Sequence, residues 1–139
     1  MSQARQNTFS SERSVVTALD KQTIETWKIN LRGDLVQPDD QDYDTARAVY
    51  NAMVDRHPVL IIRCAGVSDV INALDFAHTN NLLVSIRSGG HNVAGRALCD
   101  RGLVIDLSRM KGCRIDPVKR TARAEAGLTW SEYLPSVPG

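Results

Sequence analysis

The chain has 139 residues, a length that allows one domain and argues against two. Hydrophobic residues make up 42% and aromatics only 5%, so a core has to rest on Val, Leu, Ile and Ala. With 17 Lys and Arg against 16 Asp and Glu, the net charge of +1 argues against an electrostatic nucleic-acid binder, although it leaves room for a local basic patch. Cys64, Cys99 and Cys113 are odd in number with no close pair, so no disulfide framework is expected. The stretch from Met1 to Phe9 has no apolar segment, which predicts a cytoplasmic chain without a secretory signal. The longest apolar runs, Val59 to Ile62 and Leu82 to Val84, are too short to span a bilayer, so no membrane association is expected.

Residues 1–11 are polar and read as disordered. A first helix is predicted over 12–29, with Val16, Leu19, Thr23 and Trp27 as its apolar stripe, and Pro38, Asp39 and Asp40 mark a turn. Ala46, Val49, Tyr50 and Met53 recur at helical spacing and predict a second helix over 44–54, ended by Pro58. The β-branched run 59–64 predicts a buried strand. Ser68 is placed to cap a third helix with Asp69 in its first turn and Val70, Ile71, Leu74 and Ala77 inward. Residues 82–87 predict the next strand, completing a βαβ unit and a small parallel sheet. A glycine-rich loop follows over 88–96, then a strand over 103–107 and a hairpin with arms 114–116 and 121–126. Ala122, Ala124 and Ala126 alternate on one face, which suggests a close neighbour there. Thr129 and Glu132 have capping-box spacing and predict a helix start. Pro135 and Pro138 follow at once, a conflict that reads as a chain cut short, with a short terminal turn as the alternative.

The loop 88–95 carries Gly89, Gly90 and Gly95 at the end of a predicted parallel strand, where ligands bind in α/β sheets. Residues without a Cβ let successive backbone N–H groups turn into an anion nest, and the natural ligand is a pyrophosphate; the alternative is a tight turn with no ligand. The glycines do not match the G-x-G-x-x-G fingerprint, and no Gly-Lys-Ser or Gly-Lys-Thr occurs. Ile86 stands where a nucleophile elbow needs glycine, and a Ser88–His91 pair lacks an orienting acid, so serine hydrolysis is set aside. His91 follows the glycine pair and is either a base, ligand or nucleophile, or a structural histidine bonded to the loop. His57 and His78 read as non-catalytic, and no paired His or Cys spacing points to a metal. Arg87 feeds the loop and either faces phosphate or is solvated or salt-bridged, while Asp106 is placed to accept backbone N–H bonds at its strand end. Cys64 and Cys113 read as packing residues and Cys99 as an exposed turn residue.

The run Ile86-Arg87-Ser88-Gly89-Gly90-His91-Asn92-Val93-Ala94-Gly95 resembles the flavin loop of the berberine bridge enzyme-like oxidoreductases, in the vanillyl-alcohol oxidase and p-cresol methylhydroxylase flavoprotein superfamily. The resemblance continues through Gly102-Leu103-Val104-Ile105-Asp106-Leu107-Ser108 and Ala124-Glu125-Ala126-Gly127-Leu128-Thr129-Trp130, and covers about 31–130. It implies an α+β fold, the N-terminal part of a PCMH-type FAD-binding domain over 31–139, with 1–30 as an extension and helix. It implies FAD as cofactor, bound through Arg87, Ser88, Gly89, Gly90, His91, Asn92 and Gly95, with His91 as the covalent attachment point. Relatives oxidise an alcohol, sugar hydroxyl or benzylic C–H of a small molecule and pass electrons to O2. None of the cysteines matches the second attachment point of some members, and Arg101 stands where the family has a glycine, in a turn expected to tolerate it. The resemblance assigns no catalytic residue here, and the length predicts an incomplete, inactive fragment. The competing reading is a non-catalytic nucleotide-binding or protein-interaction domain.

Overall fold

The computed structural model describes residues 19–134; the predicted disorder of 1–11, the first part of the predicted helix 12–29, and Pro135 and Pro138 lie outside them. Helix α1 spans Lys21–Lys28 and turns Ile24 and Trp27 into the core, where the Trp27 ring stacks on Phe76 at 4.0 Å and 12°. Strand β1, Asp34–Val36, is a three-residue element too short to show alternation in the sequence. Strand β2 is Leu60–Arg63, β3 is Val84–Arg87 and β4 is Leu103–Asp106. Together they form a four-stranded sheet in the order β1-β2-β4-β3. β2 and β3 both run parallel to β4, and β1 is antiparallel to β2. The crossover from β2 to β3 therefore leaves a gap, which β4 fills. β4 is buried along its whole length, as the central strand of a sheet covered on both faces. One face carries Leu60, Ile62, Leu103 and Ile105 against Trp27, Ala73 and Phe76; the other carries Ile61 and Val104 against Val36, Tyr43, Ala46 and Leu98.

Helix α2 is Tyr43–Arg47, much shorter than the predicted 44–54. Tertiary bonds end it. Ala48 is extended at φ −65°, ψ 135°, and its carbonyl accepts a bond from Arg87 Nη1 at 3.1 Å. The Tyr50 N–H then donates to the Gly90 carbonyl at 3.2 Å. Ala46 is buried as the periodicity required, as is Tyr43 before it, but Tyr50 and Met53 are exposed.

Helix α3, Val67–Thr79, is capped by Gly66 rather than Ser68. Its inward face is Asp69, Ala73, Phe76 and Ala77, so Ile71 and Leu74, expected inside, are outside. Asp69 sets that rotation: its carboxylate is fully buried and accepts the backbone N–H groups of Arg32, Gly33 and Ala65 at 2.8, 2.9 and 2.8 Å. A buried carboxylate with three donors is satisfied, and turning Ile71 inward would strand it. Arg101 takes a left-handed φ of 56° and gives its N–H to the His57 carbonyl at 2.9 Å.

Strands β5, Cys113–Asp116, and β6, Thr121–Ala124, form the expected hairpin. All four residues of β6 are exposed, so Ala122 and Ala124 cover no neighbour among the described residues. Helix α4, Trp130–Tyr133, starts at the capping box: the Glu132 carboxylate accepts the N–H and hydroxyl of Thr129 at 2.9 and 2.8 Å. No described helix is long and apolar enough to cross a membrane.

Candidate cofactor loop

Strands β3 and β4 end side by side, with Arg87 in register with Asp106. Both side chains are buried, at 8% and 3% exposure, and Arg87 Nη2 bonds the Asp106 carboxylate. The other carboxylate oxygen accepts the Ser108 N–H at 2.9 Å. Arg87 is thus salt-bridged, and it also lines the cleft at the loop. Its charge is matched by Asp106, and its Nη1 fixes the carbonyl of Ala48. Asp106 accepts a turn N–H as its strand-end position predicted.

The loop itself is held at three points. The Ser88 hydroxyl donates to the Ala126 carbonyl. The Gly90 carbonyl accepts from Tyr50. Asn92 closes the far end, its side-chain oxygen accepting the Arg96 N–H at 3.2 Å and its carbonyl the Gly95 N–H at 3.1 Å. Gly90 and Gly95 both sit at positive φ, 72° and 69°, a region that a β-branched residue avoids.

Ala48, Val49, Tyr50, Arg87, Ser88, Gly89, Gly90, Asp106 and Ser108 line a cleft of about 220 Å³. Among the described residues the N–H groups of Gly89, Gly90 and His91 donate to no acceptor. Three successive free donors beside a charge-neutralised arginine suit a phosphoryl group, because the dipoles attract the anion without an unpaired buried cation. The loop therefore fits the pyrophosphate of a dinucleotide cofactor. His91 and Asn92 are exposed and outside the cleft lining, whereas Gly95 is buried. The His91 imidazole lies 5.1 Å from the Tyr50 ring, centroid to centroid, at 41°.

Sequence reasoning missed the segment 48–50. Its residues read as a helix face, and only the completed fold carries them to the loop. A cleft of about 740 Å³ between α1 and α3 includes no residue of 88–95. The exposed position expected for Cys99 is corrected: it is buried, with its thiol near the carbonyls of Leu83 and Leu103. Burial raises its pKa, and burial first, then Asp69 and Asp106, pushes the Cys64 thiol up to about 12. Neither thiol is a nucleophile at neutral pH. His57 and His78 are exposed and away from the cleft lining.

Comparison with known proteins points to FAD as the cofactor of the family. A family profile described as FAD binding domain matches residues 58–134. An uncharacterized FAD-linked oxidoreductase of Bacillus subtilis is 39% identical over 105 residues, covering 76% of this chain and 23% of that protein. (R)-6-hydroxynicotine oxidase of Paenarthrobacter nicotinovorans is 35% identical over 100 residues, covering 72% of this chain and 22% of that protein. The structure of BBE-like 1 from Physcomitrella patens superposes with a TM-score of 0.70 at 26% identity, over 76% of this chain and 23% of that one. The chain thus spans less than a quarter of the length of the curated relatives it matches.

Proposed function

The chain belongs to the FAD binding domain family of FAD-linked oxidoreductases, and on that premise we propose that its 88–95 loop holds the pyrophosphate of FAD. The observation that carries the proposal is the row of free N–H groups on Gly89, Gly90 and His91 beside the cleft. Hydrogen bonds from such donors to a charged oxygen contribute about 1.5–3 kcal/mol each. Arg87 forms the rear wall, Ser88 ties the loop to the turn after β6 at Ala126, and Asn92 and Gly95 close it. His91, at the rim, is the covalent attachment point. Bound FAD supplies the two-electron redox chemistry; the residues of this chain bind it, orient it and shield its phosphates. The domain that does so is assigned to 31–139, with 1–30 as an extension. The whole protein is read as an oxidase-type enzyme acting on an alcohol, sugar hydroxyl or benzylic C–H of a small molecule, with O2 as electron acceptor. The oxidase among the relatives supports that reading.

The test uses ADP, which carries the diphosphate without the flavin, titrated into the isotopically labelled chain. The amide signals of Gly89, Gly90 and His91 should move together, and Gly90→Val should abolish the response while the sheet signals stay in place. Amides at 89–91 that ignore millimolar ADP in the unsubstituted chain would remove the pyrophosphate reading.

A further inference from the structure

His91 sits exposed in a glycine-rich loop, yet its ring has a seat. On one side lies Gly89: a Cβ built there would stand 2.8 Å from the imidazole Cδ2, so the ring occupies space that only glycine leaves. On the other side lies the Tyr50 ring, at 5.1 Å and 41°, within the separation at which aromatic pairs attract. Tyr50 is held by its backbone, since its N–H donates to Gly90, next to the histidine. Two residues earlier the carbonyl of Ala48 is gripped by Arg87, whose other amine is locked on Asp106. The tyrosine backbone is thus referenced to the same strand ends that launch the loop. Its side chain is 82% exposed and belongs to neither apolar cluster, so the core gives no reason for an aromatic there.

We propose that Tyr50 is a positioning residue that, with the bare Cα of Gly89, seats the His91 imidazole at the rim of the cleft. The inference rests on the reading of His91 as the attachment point, which gives the seat its purpose. A tethering nitrogen has to be presented in one orientation, and an error of about 1 Å in such a group costs on the order of a hundredfold in rate. An exposed histidine on a glycine loop samples several rotamers unless something holds it. The Tyr50 ring lies against the imidazole and restricts it on the side opposite Gly89.

The test reads the histidine rings of the flavin-free chain by carbon–proton NMR, with His91 assigned through His91→Asn. The Tyr50 ring current should set the His91 ring protons apart from those of His57 and His78. Tyr50→Ala should return them to free-histidine positions, and Tyr50→Phe should keep them displaced, because the ring and not the hydroxyl forms the seat. Gly89→Ala should also displace them, by crowding the imidazole from the other side. Signals from β3 and β4 should hold still in Tyr50→Ala, which separates seating from a general loss of structure. His91 ring signals that do not respond to Tyr50→Ala would overturn the proposal. Since no flavin is present, that failure is distinct from failure of the ADP titration, which concerns the pyrophosphate loop.

Discussion

Replacing Asp106 by alanine should be among the most damaging single changes in this fold. The substitution leaves the Arg87 guanidinium, 8% exposed, without its counter-charge, and removes the acceptor for the Ser108 N–H. Leaving a buried charge unpaired costs about 3–5 kcal/mol, a large share of the roughly 5–15 kcal/mol that holds a domain together. With a urea m-value of about 1.5 kcal/mol per molar, the unfolding midpoint should fall by about 2 M or more. Trp27, stacked on Phe76 in the core, reports the transition through its fluorescence, while exposed Trp130 contributes a nearly constant background. Removing both charges, with Arg87→Met and Asp106→Leu together, should recover most of the loss, because an apolar pair of similar volume replaces a desolvated ion pair at little cost. What stays lost are the bond to the Ala48 carbonyl and the acceptor of the Ser108 N–H, each worth about 1 kcal/mol, and with the first the grip on the segment that carries Tyr50. An Asp106→Ala cost below about 1 kcal/mol would mean that Arg87 escapes to water through the cleft, and would refute the account of a locked strand-end pair.

The parts of the fold written locally were legible in the sequence. The β-branched run of β2, the strand of β4, the hairpin and the Thr129–Glu132 cap each depend on neighbours a few residues away, and each is present. What failed was decided at long range. The helix over 44–54 has the right apolar spacing, but Ala48 and Tyr50 form bonds with Arg87 and Gly90, some forty residues on, and that exchange stops the helix after Arg47. α3 shows the same competition: hydrophobic spacing favoured Ile71 and Leu74, while the three N–H groups converging on Asp69 turned the helix by one position. No local pattern reveals that a first-turn aspartate serves a distant backbone instead of its own helix. The site divided along the same line. Its glycines, Ser88, His91 and Arg87 stood out because they share one stretch of chain, whereas the wall they face comes from 48–50 and had no signal of its own.

In the native chain at mildly alkaline pH, iodoacetamide should label half-buried Cys113 and spare Cys64 and Cys99, as peptide mass mapping will show; labelling of Cys64 at a comparable rate would contradict a thiol held near 12. The Lys111 ammonium, then the N–H and hydroxyl of Thr129, hold the Glu132 carboxyl down to about 2 from an ordinary 4.5. A depressed folded value means that the cap is fully present above the ordinary one and lost as pH falls through the lower. The Thr129 amide signal should therefore stay fixed through pH 4 and shift only on approach to 2, and a midpoint near 4.5 would refute the capped geometry. Incubated with FAD, the 139-residue chain should acquire little covalent flavin. Its cleft of about 220 Å³ falls below the roughly 300–1,000 Å³ of pockets that enclose a whole ligand, and His91 lies exposed outside the lining. The cleft lining can grip a diphosphate, but among the described residues it does not extend to the imidazole, and attachment depends on how the flavin ring is placed there. Intact mass decides the point: stoichiometric flavin on His91 would show that the loop and its Tyr50 seat are sufficient by themselves.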